Sequence, residues 1–386
     1  MKIGIVCYPT FGGSGVVATE LGKALAKKGH EIHFITYSQP ARLDFFSENL
    51  FYHEVRLANY PLFEYAPYEV ALTSKLVDVI KYEKLDLLHV HYAIPHASAA
   101  LLAKQILAQQ GVHIPVVTTL HGTDITLVGK DDTYKPVVQW SINQSDGVTS
   151  VSEDLKKETL SIFDITRPIA VIPNFVDLAR FSFKNKEHFK KAIAPNNERI
   201  LIHISNFRKV KRVEDVVHVF DKVRKEINAK LLFVGDGPER HNVEKLCREL
   251  KSCDDIRFLG KQDAVDEILA VSDLFVMPSE SESFGLAALE AMACRVPVIS
   301  SNAGGIPEVN IEGETGFLLK VGDTDGMAIK ALEILRDDKV LEGFKDRAYA
   351  RAKIFDILEI TPIYERFYED VIKNSQKEPA YVQPTA

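Results

Sequence analysis

Residues Leu274–Ala293 read LFVMPSESESFGLAALEAMA. The apolar run Leu274–Met277 shows no alternation, which suits a strand buried on both faces. It ends at Pro278-Ser279, a polar loop Glu280–Gly285 follows, and an Ala- and Leu-rich run then predicts a helix over Leu286–Ala293. Strand, loop and helix in this order form the repeating unit of a parallel sheet with helices on both sides.

The same plan extends outward in both directions. Around this unit, strands are expected at Arg199–His203, Lys230–Val234, Ile256–Leu259, Pro297–Ser300 and Gly316–Leu319, with helices at Val213–Ile227, Arg240–Lys251 and Asp325–Asp337. The first half repeats it. Strands are expected at Lys2–Cys7, Glu31–Thr36, Leu87–His91, Val116–Leu120, Gly147–Val151 and Ala170–Ile172, with helices at Val16–Lys28, Ala71–Tyr82, Ala97–Gln110 and Lys135–Gln144. The fold class is therefore α/β, with two doubly wound, Rossmann-like domains. The expected domains are 1–172 and 173–356, with the joint near Pro173–Arg180. The polar segment Asn185–Asn197 reads as an exposed approach to the second domain, and the tail Lys373–Ala386 as frayed. Ligands of such sheets sit beyond the carboxyl ends of the strands, so a central cleft faced by the two domains is the expected active site.

Composition narrows the function classes. A chain of 386 residues is long enough for two domains of roughly 150–200 residues each. Its net charge of −7 argues against a nucleic-acid partner, which needs a cationic surface. No stretch approaches the roughly 18–20 apolar residues needed to span a bilayer, and MKIGIVCYPT at the start lacks the apolar core of a signal peptide. Cys7, Cys247, Cys253 and Cys294 show neither C-x-x-C nor zinc spacing, so reduced thiols in a cytoplasmic protein are expected. The oligomeric state is left open, a homo-oligomer included.

Five segments carry chemistry. Glu282 lies in the loop before the predicted helix and Glu290 on its second turn, so two carboxylates can reach hydroxyls at different points of one extended ligand. The N–H groups of Phe284, Gly285 and Leu286 open that helix and can hold phosphate or hydroxyl oxygens. Ser205–Arg212, SNFRKVKR, packs four cations into five positions at a strand-to-helix junction, which suits a diphosphate. Thr10–Gly15, TFGGSG, is a glycine-rich turn before a helix and lacks both the dinucleotide spacing and the P-loop ending. It is either a phosphate or carboxylate cradle or a plain tight turn. His121-Gly122-Thr123-Asp124 follows a strand, where a neutral imidazole can bond a sugar hydroxyl. HVHYAIPH, His89–His96, ends another strand; its histidines suggest a metal, but no carboxylate stands at ligand spacing on a shared helix. The turns Asn302–Glu308 and Gly313–Leu318 fit a pocket wall.

Together these segments resemble the retaining glycosyltransferases of family 4, with the GT-B fold, over essentially the whole chain. The run PSESESFGLAALEAMACRVPVI, with AGGIPEV and GETGFLL after it, looks like that family's E-x7-E signature and flanks. The resemblance implies that Glu290 binds ribose hydroxyls and that Glu282 with the Phe284-Gly285 amides holds the donor sugar and its phosphate. It implies that Lys211 meets the diphosphate. The family's usual arginine falls on Asn206 here, with Arg208 two positions on as its substitute, and the usual glycine after AMAC is Arg295. The resemblance also implies that a last helix, about 357–373, crosses back onto the first domain.

A narrower resemblance runs through CYPTFGGSGVVATELG, HVHYAIPHA, TLHGTDIT and SNFRKVKR. It is to the members that move N-acetylglucosamine from its UDP donor to the hydroxyl of L-malate, opening bacillithiol biosynthesis. It implies no cofactor and no metal. The diphosphate itself would take the acceptor proton, Lys211, Arg208 and the helix start near Phe284 would neutralise it, His121 would hold the sugar, and Gly13 would neighbour the diphosphate. Ser14, Arg42, Tyr92 and Thr123 are the acceptor candidates. A lipid or sugar acceptor, a UDP-sugar epimerase of the same fold and a silent sugar-binding protein are the competing readings.

Overall fold

A computed structural model describes residues 1–10, 12–43, 47–57, 65–127, 129–182 and 186–376. Phe11, Asn185 and the tail from 377 onward lie outside them. The chain divides into two compact units, Met1–Asn174 joined by the segment from Ile357, and Phe175–Asp356.

In the first unit the elements run β1 Lys2–Val6, α1 Gly13–Lys27, β2 Glu31–Thr36, β3 Leu50–Glu54, α2 Tyr68–Glu83, β4 Leu87–His91, α3 Ser98–Ala108, β5 Val116–Leu120, α4 Lys135–Gln144, β6 Gly147–Ser150, α5 Glu153–Ile162 and β7 Ile169–Val171. All pairings are parallel, in the order β3-β2-β1-β4-β5-β6-β7. The chain starts mid-sheet, winds outward to β3, and returns through α2 to β4. The loops after β1 and β4 therefore leave in opposite directions, which opens a crevice between them at the carboxyl ends. β4 and β5 are buried at every residue, as strands covered on both faces must be.

In the second unit they run α6 Glu187–Ile193, β8 Arg199–Ile204, α7 Val213–Arg224, β9 Ala229–Val234, α8 Arg240–Glu249, β10 Ile256–Gly260, α9 Val265–Leu269, β11 Leu274–Met277, α10 Leu286–Ala293, β12 Val298–Ser301, β13 Gly316–Leu319, α11 Thr324–Leu335 and α12 Asp338–Ala352. The parallel order is β10-β9-β8-β11-β12-β13, so the reversal falls between β8 and β11. Val213, Val216, Val217, Phe220 and Val223 form the buried stripe of α7, spaced by threes and fours. Each such side chain contributes roughly 1.5–3 kcal/mol when fully buried. Val176 and Asp356 pair where the chain enters and leaves this unit.

The last helix, α13 Ile357–Ser375, belongs to the first unit. Tyr364 and Tyr368 are fully buried, and the Tyr368 hydroxyl hydrogen-bonds His89 Nδ1 at 2.8 Å. Glu365 accepts from His30 at 2.9 Å and pairs with Lys28 at the end of α1. A Cβ at Gly147 would crowd Val371 and Phe367, so this residue lets α13 lie close on β6.

Several sequence expectations are changed. β3 is an edge strand with no buried residue, so it lacks the apolar run that marks the other strands. The polar helix α5 buries only Leu155 and Thr159. The expected approach segment contains the helix α6, which buries none of its residues. Cys247 and Cys253 are not free thiols; they form a disulfide with Cα atoms 5.2 Å apart, because the chain turns back on itself directly after α8. Cys7 and Cys294 are free and buried.

Candidate functional site

In the second unit the loops after β8 and β11 meet at the topological reversal. Glu280 N–H donates to the Val210 carbonyl at 2.8 Å, and Arg212 reaches Glu280 at 3.1 Å. Lys211 Nζ donates to Glu282 Oε1 at 2.5 Å, and Ser279 Oγ donates to the same oxygen at 3.0 Å. Both members of the pair are mostly withdrawn from solvent, with side chains 20% and 15% exposed. The positions expected to bind a diphosphate and a donor sugar are therefore adjacent.

Gly285 caps α10 with φ 93°, a left-handed conformation that a side chain disfavours. That kink turns the chain into the helix so that its first N–H groups, which lack intrahelical acceptors, face outward. Phe284 is buried and packs edge-on against Phe355. Glu290 is buried one turn into α10. Gly304, at φ 58°, lies against the Glu282 carbonyl, where a Cβ would collide, and Gly305 N–H donates to that carbonyl at 2.8 Å. The turn Asn302–Glu308 thus braces the acidic loop.

Asn206 and Arg208 are both exposed, on either side of fully buried Phe207. Both positions are thus open to solvent, as the expectation that Arg208 substitutes for an arginine at 206 requires. Among the described residues the Arg208 guanidinium has no ion-pair partner. Arg295 has φ 62° just past the end of α10, a position where glycine is the usual residue. Its side chain is held by Glu342 and Asp346 of α12.

In the first unit the loops after β1, β4 and β5 converge. Ser14 Oγ lies 2.8 Å from Tyr92 OH, and the Tyr92 and His121 rings have centroids 5.3 Å apart. Thr123 follows β5 in the same loop as His121 and is exposed. Gly13 opens α1 and is exposed. The Arg42 carbonyl, in the loop after β2, accepts from Lys23, well along α1. The sequence reading overlooked Asp124 as an organiser. Its carboxylate accepts from Ala93 N–H at 2.9 Å and from Gly122 and His121 N–H at 3.0 and 3.3 Å. It ties the β4 and β5 loops together, and burial pushes its carboxyl up to about 6.

The histidines form a buried string. His91 Nδ1 lies 2.7 Å from His121 Nε2, His96 Nδ1 donates to the His91 carbonyl, and His89 bonds Thr119 at 2.6 Å. Burial pushes His121 and His89 down to about 3 and His96 to about 4, so all are neutral at pH 7. Among the described residues these histidines do not assemble a set of three metal-ligand atoms. His91 Nε2, His96 Nε2 and the Tyr68 hydroxyl are buried without a partner. An orphaned N–H costs more than an orphaned lone pair. His91 therefore donates from Nδ1, and His121 presents its own Nδ1–H.

The sequence contains one D-x-D triplet, Asp323-Thr324-Asp325. Asp323 caps α11 by accepting from Gly326 N–H at 2.8 Å, and Asp325 pairs with Lys222 at 2.7 Å. A cavity lined by Lys190, Asp273, Cys294, Arg295 and Lys345 holds none of the candidate residues.

Two family descriptions match this chain: "Glycosyltransferase Family 4" over residues 11–180 and "Glycosyl transferases group 1" over residues 184–351. A Bacillus anthracis protein named N-acetyl-alpha-D-glucosaminyl L-malate synthase is 49% identical over 380 residues, covering 97% of this chain and 98% of that one. The chain belongs to glycosyltransferase family 4. It is a glycosyltransferase. Sucrose-phosphate synthase from Thermosynechococcus elongatus superposes with a TM-score of 0.80 at 21% identity, covering 97% of this chain and 100% of that one. Anabaena HepE in complex with UDP and glucose gives 0.81 at 19%, covering 96% and 99%. With the two parallel sheets, these likenesses give the family-4 chain the GT-B fold. Among the described residues no helix is long and apolar enough to cross a membrane.

Proposed function

We propose that this family-4 enzyme moves N-acetylglucosamine from UDP-N-acetylglucosamine to the hydroxyl of L-malate. The product is N-acetyl-α-D-glucosaminyl L-malate, the first step of bacillithiol biosynthesis, with anomeric configuration retained and no metal or cofactor required. The observation that carries this reading is the 49% identity, across both units, to the Bacillus anthracis protein of that name.

The geometry supports a division of labour. In the second unit Glu290 takes the ribose hydroxyls, and Glu282 with the amides at the start of α10 takes the sugar and phosphate. The diphosphate draws Lys211 away from its pairing with Glu282, and Arg208 adds the second cation. The acceptor hydroxyl attacks the anomeric carbon on the face that UDP leaves, and a diphosphate oxygen receives its proton. Positioning and charge neutralisation are then the protein's main contribution. In the first unit His121 Nδ1–H donates to a sugar hydroxyl, and Ser14, Tyr92 and Thr123 receive the acceptor. Metal independence is supported by the engagement of both carboxylates of the D-x-D triplet in capping and pairing. A cytoplasmic location, with neither a nucleic-acid nor a membrane-spanning partner, completes the proposal.

The test is incubation with UDP-N-acetylglucosamine and L-malate, or with other hydroxy acids, while following UDP release, product mass and anomeric configuration. Malate-dependent turnover that persists in a chelator is expected. Turnover with other acceptors alone would overturn malate and leave the transferase standing. Release of free sugar without an acceptor would favour an epimerase.

A further inference from the structure

His33, His53, Glu83 and Glu31 gather in the first unit, away from the candidate site. His33 lies on β2 and is fully buried, while His53 lies on the neighbouring edge strand β3. Their rings stack at 20° with His33 Nδ1 2.9 Å from His53 Nε2. Glu83 ends α2, and one ligand atom from each of the three residues lies within 4.8 Å of the others. The other nitrogen of His33, Nε2, lies 3.1 Å from Glu31 Oε1, which Lys2 Nζ holds at 2.8 Å.

That last contact settles the tautomer. An ionised carboxylate only accepts, so His33 carries its proton on Nε2 and turns the Nδ1 lone pair toward His53 and Glu83. A carboxylate behind an imidazole is the arrangement that orients metal-binding histidines and raises their basicity. We propose that His33 Nδ1, His53 Nε2 and the Glu83 carboxylate form a binding site for a divalent transition-metal ion such as zinc. Two imidazoles and a carboxylate are a zinc donor set, with a water as fourth ligand on the solvent side, where His53 and Glu83 are half-exposed. Without an ion, His53 Nε2–H donates to the His33 lone pair. On binding, that proton passes to His53 Nδ1, so both histidines stay neutral. Ligand bonds of about 2.0–2.1 Å in a tetrahedral site need the two nitrogens to separate by a few tenths of an ångström. Glu83 lies at the amino ends of the strands, just before β4, whereas Ser14, Tyr92 and His121 follow the carboxyl ends. The ion would therefore pin edge strand β3 and the end of α2, with no part in transfer.

The experiment is titration of the chelator-treated full chain with zinc sulfate, read by calorimetry and against a chromophoric zinc indicator. One saturable equivalent is expected, together with a zinc-dependent rise in melting temperature and unchanged transfer at saturating substrates. Cobalt should give the intense visible absorption of a four-coordinate site. His53→Asn and Glu83→Gln, both at half-exposed positions, should each weaken binding at least tenfold. Glu31→Gln keeps all three ligands and should weaken it by about 10- to 100-fold, an effect that a bare histidine–histidine hydrogen bond does not predict. Absence of a stoichiometric equivalent in the wild type, or undiminished binding in the His53→Asn/Glu83→Gln double variant, would overturn the site. Unchanged affinity in Glu31→Gln would overturn the orienting role.

Discussion

Glu290 and Lys211 carry opposite charges, and their substitutions should fail in different ways. A hydrogen bond to a charged group contributes about 1.5–3 kcal/mol. Glu290→Ala should therefore weaken UDP-N-acetylglucosamine binding by about 10- to 100-fold, as read by calorimetry. In the proposed mechanism Lys211 acts where negative charge grows on the leaving diphosphate. Lys211→Ala should lower kcat by about 10²–10³-fold, with a smaller change in donor affinity, in steady-state assays. Unchanged donor affinity in the first variant would remove Glu290 from the donor site. Unchanged kcat in the second would remove Lys211 from the chemistry.

At the scale of elements, the start of α10 depends on a backbone conformation as much as on side chains. Gly285 holds φ 93°, and a Cβ there would find ordinary contacts, the nearest 3.4 Å from the Met277 side chain. The cost of Gly285→Ala is thus conformational and not steric, about 1–2 kcal/mol. We expect a modest fall in melting temperature and a several-fold rise in donor KM, because the first-turn N–H groups lose their aim. A variant with the lowered melting temperature and an unaltered KM would show that the helix start does not touch the donor. The disulfide between Cys247 and Cys253 belongs to this scale too. The two residues stand six apart in sequence, and only the return of the chain after α8 brings them face to face.

At the scale of the molecule, the buried histidines govern acid stability. His89 and His121 are pushed down to about 3, and His96 and His203 to about 4. The unfolded chain takes up their protons below about pH 6.5, while the folded chain does not. Stability therefore falls as pH drops from about 6.5 toward 4, by up to about 1.4 kcal/mol per pH unit for each histidine. Asp124 acts in the opposite direction. Its carboxyl, raised to about 6, keeps its proton in the folded chain when the unfolded one has released it. Between about pH 4 and 6 it offsets part of the histidine effect. A melting-temperature series from pH 7.5 to 4.5 should fall steadily, and Asp124→Asn should steepen the fall relative to wild type. A flat profile would mean that the histidine string is open to water.

The alternation of apolar runs with amphipathic stretches determined the α/β class, since strands covered on both faces must be apolar and helices lying on them must be two-sided. The segment Pro278–Glu290 determined the family's E-x7-E signature, because a helix start needs its glycine and its acidic neighbours close in sequence. Edge strand β3 and polar helix α5 were illegible for the converse reason: half-exposed elements need few apolar residues. Only the tertiary structure decided what depends on crossing between distant segments. The sheet reversals set Lys211 beside Glu282 and Ser14 beside Tyr92, α13 placed Tyr368 on His89, and Asp124 was revealed as the tie between two loops. These partners are separated by 71, 78, 279 and 31 residues. No local pattern specifies such contacts, because they arise from the strand order, which burial of the whole sheet selects.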